Sequence, residues 1–301
     1  MPVWCMEADV TRWIAVDWGT SNLRGWAMDG RRAVAQAQSD RGMGKLTRDG
    51  FEPALLDLIG DWPGREDIVA CGMVGARQGW VEAPYAMTPC PALPAGFVSP
   101  ETRSGVRVRI IPGVAQDSPA DVMRGEETQI AGYLALNPGW DGTLCLPGTH
   151  TKWVQVSAGE IVSFRTVMTG ELFATLSTGT VLRHSVTGEG WDDAAFAAAL
   201  DDALSHPERL TGRLFSLRAE SLLHAMPPAT ARARLSGLLI GMELAGTRPF
   251  WLGTQVAIIG SGTVAGHYRA ALAAQGAQVA QADNDTVTLA GLIAAHEGAR
   301  P

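Results

Sequence analysis

Glu126 follows a glycine in the run Arg124-Gly125-Glu126-Glu127-Thr128-Gln129, at the head of a segment whose helical pattern continues to Leu136. A carboxylate in that place can accept the proton of an alcohol and hold its oxygen in line with a phosphoryl group. Asp121, just upstream, is the second candidate for this base. The plainer role for Glu126 is an acid stabilising a helix N-terminus through the dipole, which explains Glu127 equally well.

A phosphoryl donor needs groups that grip phosphate, and two glycine-threonine turns offer them. Asp17-Trp18-Gly19-Thr20-Ser21 ends the apolar run Trp13–Val16, and Gly148-Thr149-His150-Thr151 ends the run Thr143–Leu146. In each case a strand turns back into a second apolar stretch, a geometry whose backbone N–H groups converge on phosphate oxygens. Asp17 beside such a turn would be repelled by phosphate unless a cation lay between, so Mg²⁺ on Asp17 is expected, unless that carboxylate merely accepts bonds from its own turn. Lys152 offers a phosphate contact behind the second turn. Gly260-Ser261-Gly262 after the strand-like Gln255–Ile259 would let a nucleoside approach the backbone closely. With Gly266 and Asp283 the same glycines approximate a dinucleotide fingerprint, which makes a nicotinamide-dependent oxidoreductase the rival reading. Too little chain follows residue 255 for the βαβαβ half which that motif requires.

The elements that must position these residues alternate between strand and helix. A helix is expected over Phe51–Ile59, strands over Asp67–Cys71 and Val106–Ile111, and helices over Asp192–Leu204, Arg213–Met226 and Thr230–Ala245. Asn137-Pro138-Gly139 is a breaker cluster and the expected hinge, giving domains over 11–137 and 138–301. The length, 301 residues, fits two such domains, and 46% hydrophobic against 18% charged residues describes a globular chain. A formal charge of −7 without a basic run argues against a nucleic-acid partner. Met1–Thr11 carries two acids and no apolar core, and no stretch approaches the roughly 20 apolar residues of a membrane span. Cys5, Cys71, Cys90 and Cys145 lack metal spacing and read as reduced thiols, so a cytoplasmic location is expected. Composition leaves a homo-oligomer open.

The order of these parts resembles the sugar-kinase, heat-shock-protein and actin superfamily: first phosphate turn, catalytic helix, second phosphate turn, late adenosine turn. The phrases DWGTSNLRGW, GARQGW continuing to Pro84-Tyr85, DVMRGEETQIAG, LPGTHTKW and MTGELF resemble the 2-dehydro-3-deoxygalactonokinase family over nearly the whole chain. That resemblance implies an α/β fold of two actin-like (ribonuclease H-like) domains with an interdomain cleft. It also implies transfer of the ATP γ-phosphate to the C6 hydroxyl of 2-dehydro-3-deoxy-D-galactonate. It gives Asp17, Gly19, Thr20 and Ser21 to the first phosphate motif, Gly148 and Thr149 to the second, and Gly260, Ser261 and Gly262 to adenosine. Many relatives have Asp in place of Glu126 and a Gly-Thr-Gly turn in place of Gly148-Thr149-His150. A sugar acid needs a cation for its carboxylate. Arg77 is the expected anchor, with Gln78, Trp80 and Tyr85 beside it, Arg24 reaching phosphate or substrate, and Glu171 bonding sugar hydroxyls.

Overall fold

Residues 12–298 are described in the computed structural model of the chain; Met1–Thr11, with Cys5, and 299–301 lie outside them. In chain order the elements begin with β1 (Arg12–Trp18), β2 (Leu23–Asp29), β3 (Arg32–Ser39), α1 (Phe51–Ile59), β4 (Ile68–Gly72) and β5 (Tyr85–Met87). There follow β6 (Cys90–Pro91), β7 (Val108–Ile110), β8 (Gly113–Gln116), β9 (Asp121–Met123), α2 (Glu126–Leu136), β10 (Gly142–Leu146), β11 (Thr151–Ser157) and β12 (Glu160–Val167). A helical stretch comes next, with α3 (Thr169–Gly179), α4 (Arg183–Val186), α5 (Asp193–Ser205), α6 (Leu210–Leu223), α7 (Pro228–Gly246) and α8 (Arg248–Trp251). The chain closes with β13 (Val256–Ile259), α9 (Gly262–Ala274), β14 (Val279–Ala282) and α10 (Asn284–Gly298).

Contacts divide the chain into two units, one of residues 12–140, 158–162 and 284–298, the other of 141–157 and 163–283. In the first, Trp13, Ile14, Ala15 and Val16 are all fully buried, which marks β1 as a central strand covered on both faces. Its sheet runs β3-β2-β1-β4-β7, with β1, β2 and β3 antiparallel and β4 and β7 joined in parallel. The first unit also holds a small sheet, β5-β8-β9. Phe51, Ala54, Leu55 and Ile59 recur at helical spacing and bury one face of α1 in this core. Gly60, at φ +48°, ends the helix.

The second unit repeats the plan, with β12-β11-β10-β13-β14 in place of β3-β2-β1-β4-β7 and the same change from antiparallel to parallel. The helical insertion after β12 is built around α7, which begins at Pro228 and is buried on most sides. Cβ atoms on its Gly237 and Gly241 would stand 2.4 Å from carbonyl oxygens of α5. Asp192 caps α5, its Oδ1 accepting from the Ala195 N–H at 3.0 Å.

A cut at 137/138 would leave α10 with the second domain, but its packing puts it in the first unit. A Cβ on Gly132 of α2 would lie 1.8 Å from the Val287 oxygen, and one on Gly291 of α10 would lie 1.9 Å from the Thr128 oxygen. Neither backbone can give way without parting the helices. Gly132→Ala should therefore cost about 2–3 kcal/mol of stability, read as a lower denaturation midpoint; an unchanged midpoint would refute the contact.

Candidate active site

The turn between β1 and β2 is held from behind. The N–H groups of Gly42, Met43 and Gly44 donate to the carbonyls of Ser21, Gly19 and Thr20 at 3.2, 3.0 and 2.8 Å. Gly42 is required there, since a Cβ would fall 2.2 Å from the Ser21 carbonyl carbon. Thr20 and Ser21 themselves are exposed, as a turn that offers N–H and hydroxyl groups to an anion must be. The glycines at 42 and 44 were missed in the sequence because nothing local links them to residue 20.

Asp17 lies one residue before the end of β1, and Arg24, opposite it on β2, donates to Oδ2 from Nε at 3.2 Å and from Nη2 at 2.5 Å. Arg24 also pairs with Asp285 of α10. Its charge is thus engaged by two protein carboxylates.

The head of α2 reaches the same place. The Cys71 thiol donates to Asp17 Oδ1 at 3.7 Å, and a Cβ on Gly125 would lie 3.2 Å from the Gly72 Cα. Burial first, and then the charges of Asp17 and Glu127, push the Cys71 thiol well up. Glu126 is the first residue of the helix and half-buried, its Oε2 accepting from the Arg124 backbone N–H at 3.1 Å. Glu127 is fully buried, with Oε2 accepting from the Gly125 N–H at 2.6 Å and Oε1 from the Thr128 hydroxyl at 3.1 Å. Burial, and secondly the charge of Glu126, push its carboxyl up to about 8. Of two adjacent glutamates, one is accessible and the other holds a proton at neutral pH.

Asp121 is on strand β9, not in the expected loop, and accepts from the Val122 N–H at 2.8 Å. Arg77 and Gln78 are exposed, and the Arg77 carbonyl accepts from Arg48 Nη2 at 3.2 Å. Trp80 packs with Trp18 and Phe51, ring centroids 6.3 Å away in both cases. At 7% exposure it is a core residue, which corrects its expected place as an open aromatic face: in a loop the sequence does not show which side a ring takes. Tyr85 is exposed on β5, over the Arg124 guanidinium at 4.3 Å.

In the second unit the two remaining turns come together at the C-terminal ends of the adjacent parallel strands β10 and β13, where open α/β sheets bind ligands. A Cβ on Gly260 would lie 3.9 Å from Pro147 Cδ. Gly262, at φ +78°, has open space where a side chain would be, and starts α9. Gly148, Thr149 and His150 are exposed, and none of them needs a left-handed backbone. Lys152 is buried, with Nζ donating to the His150 carbonyl at 3.5 Å.

The head of α3 closes on this turn. The Glu171 N–H donates to the Thr149 carbonyl at 2.9 Å, and the Glu171 carboxylate meets His150 Nε2 at 2.6 Å. Beneath it lies a buried carboxylate missed in the sequence, Glu243 of α7. It accepts from Trp153 Nε1 at 2.7 Å, from the Tyr268 hydroxyl at 2.7 Å and from the Thr169 hydroxyl. Tyr268 in turn meets the Thr151 hydroxyl at 2.9 Å. One side chain therefore ties β11, α3 and α9 to the base of the turn, and burial raises its pKa against the pull of three donors.

The family model for 2-keto-3-deoxy-galactonokinase matches residues 17–295, from Asp17 of the first turn into the closing helix. The chain belongs to that family. As a 2-keto-3-deoxy-galactonokinase family member it is 42% identical to the probable 2-dehydro-3-deoxygalactonokinase of Rhizobium meliloti, over 93% of this chain and 95% of that one. It is 38% identical to the 2-dehydro-3-deoxygalactonokinase of Escherichia coli, over 93% of this chain and 96% of that one. A crystal structure from Sinorhizobium meliloti, assigned as the same kinase, superposes with a TM-score of 0.89 at 38% identity, over 96% and 97% of the two chains. The ADPNP-bound activator of 2-hydroxyisocaproyl-CoA dehydratase from Clostridium difficile shares the fold alone, with TM-score 0.52 and 11% identity over 95% of each chain. The fold of this galactonokinase-family chain is the actin-like α/β fold, and the chain is a kinase. The nicotinamide reading falls with this, and the topology agrees: β13-α9-β14 is followed by α10 and no third parallel strand among the described residues. No helix among them is long and apolar enough to cross a membrane.

Proposed function

We propose that the chain transfers the γ-phosphate of ATP to the C6 hydroxyl of 2-dehydro-3-deoxy-D-galactonate. The observation that carries this beyond family membership is the pair of glutamates heading α2, next to the Asp17 turn. Glu126 accepts the C6 hydroxyl proton as that oxygen forms its bond to the γ-phosphorus and the bond to the ADP oxygen breaks. Glu127, protonated and bonded to the Gly125 N–H, cannot take that proton but fixes the backbone that aims Glu126.

Gly19, Thr20 and Ser21 offer N–H and hydroxyl groups to phosphate, as do Gly148 and Thr149, with Lys152 behind them. Gly260, Ser261 and Gly262 leave room for the nucleoside. Asp17 fits a magnesium ion: Arg24 occupies Oδ2, while Oδ1 has only a thiol at 3.7 Å, and Mg²⁺ on nucleotides is held by one or two carboxylates with phosphates and water. The ion would neutralise charge on the transferring phosphoryl group. The exposed loop of Arg77 and Gln78, with Tyr85, offers its groups to the sugar acid. Three described cysteines are free thiols, in keeping with a cytoplasmic enzyme.

The test is an ADP-release assay on a panel of 2-keto-3-deoxy sugar acids and neutral hexoses. Turnover with the galactonate-derived acid is expected. Activity confined to hexoses would overturn the substrate and leave the fold untouched.

A further inference from the structure

Arg124 is the best unexplained side chain in the first unit. It is 8% exposed, and its Nη2 donates to the Ala83 carbonyl at 2.7 Å. Nε and Nη1 are buried with no hydrogen-bond partner. Arg24, Arg65 and Arg109, the half-buried guanidiniums of this unit, each pair with carboxylates, at Asp17 and Asp285, at Asp61 and at Asp67. Arg124 has only a carbonyl and the face of Tyr85. A guanidinium cannot escape burial by losing its proton, so its charge and its idle donors need a partner that the protein does not supply.

Its slot is made of small residues. A Cβ on Gly75 would lie 3.0 Å from Nη1, and one on Gly113 would lie 2.8 Å from the Tyr85 ring carbons. Both glycines belong to the walls of the substrate loop that runs from Gly75 to Tyr85 or to the strand beneath it. Tyr85, the ring over the guanidinium, is 40% exposed and so has room to move toward solvent. Two residues on is Glu126, whose carboxylate bonds the Arg124 backbone N–H.

We propose that Arg124, and not Arg77, binds the carboxylate of the sugar acid, with Tyr85 moving off the guanidinium to admit it. The proposal rests on the sugar-acid reading above: that substrate carries one anionic end away from the reacting hydroxyl, and the charge it brings is the one Arg124 lacks. A neutral sugar would leave Arg124 uncompensated, so the same residue would discriminate acids from hexoses.

The experiment measures KM for the sugar acid and for ATP in wild type, Arg124→Lys, Arg124→Met and Arg77→Ala, with the C1 amide of the acid as a neutral comparison. Arg124→Met should raise the acid KM at least 50-fold and the ATP KM less than threefold, and should erase the preference for acid over amide. Arg124→Lys, which keeps the charge without the planar donors, should fall between. An acid KM unchanged in Arg124→Met, or raised in Arg77→Ala instead, would overturn the assignment while the kinase reading stands. Wild type inactive on every sugar acid would overturn both. Should the variants not fold, the ¹⁵Nε signal of Arg124 in the wild type decides. Sugar acid alone should shift it and the amide should not; equal or absent shifts would refute the proposal.

Discussion

Glu126→Gln should bind nucleotide with wild-type affinity but turn over about 10²–10⁴ times more slowly, the usual cost of losing a positioned general base. The amide keeps the size of the side chain and can still accept from the Arg124 backbone N–H, so the helix head stays in place. It cannot take a proton. A fall in kcat and in kcat/KM together, with the ATP dissociation constant unmoved, identifies a group that acts only in the transition state. Asp121→Asn should stay within about threefold of wild type, since that residue sits on β9 and bonds its own strand. If Asp121→Asn is the dead variant and Glu126→Gln is active, the base has been assigned to the wrong carboxylate.

Much of this arrangement was legible because it is local. The two hairpins with their glycine turns, α1 over Phe51–Ile59, the helix α2 and the late glycine turn before α9 all follow from short-range periodicity and turn chemistry. The residues that complete the site belong to another class. Gly42 against Ser21, Cys71 between Asp17 and the head of α2, Glu243 beneath the second turn and Gly291 against Thr128 are contacts between distant segments, with no period to reveal them. Arg124 was visible within a motif, but its burial and unpaired donors were not. Trp80 shows the opposite failure, in which a residue of suitable chemistry beside suitable neighbours turns inward to fill the core.

Glu127 carries the second large effect, on stability and not on rate. Its carboxyl is pushed from the ordinary 4.5 to about 8 in the folded protein. Between those values the folded chain holds a proton that the unfolded chain has released. Stability therefore falls as pH rises through this window, by about 1.4 kcal/mol per unit and on the order of 5 kcal/mol in all. Below about 4.5 both states are protonated and the stabilisation is whole; above about 8 it is gone. Glu127→Gln removes the dependence, since an amide can accept from the Gly125 N–H and donate to the Thr128 hydroxyl at every pH. Denaturant titrations should show the two proteins within about 1 kcal/mol at pH 5 and the variant several kcal/mol more stable at pH 9. Parallel curves would mean that Glu127 is ionised throughout and could compete for the base role after all. The charge of Glu126 is one cause of the raised value, so Glu126→Gln should lower the upper end of the wild-type pH window in part. That shift, measured in a catalytically dead protein, would show that the charge of Glu126 helps to keep a proton on the Glu127 carboxyl.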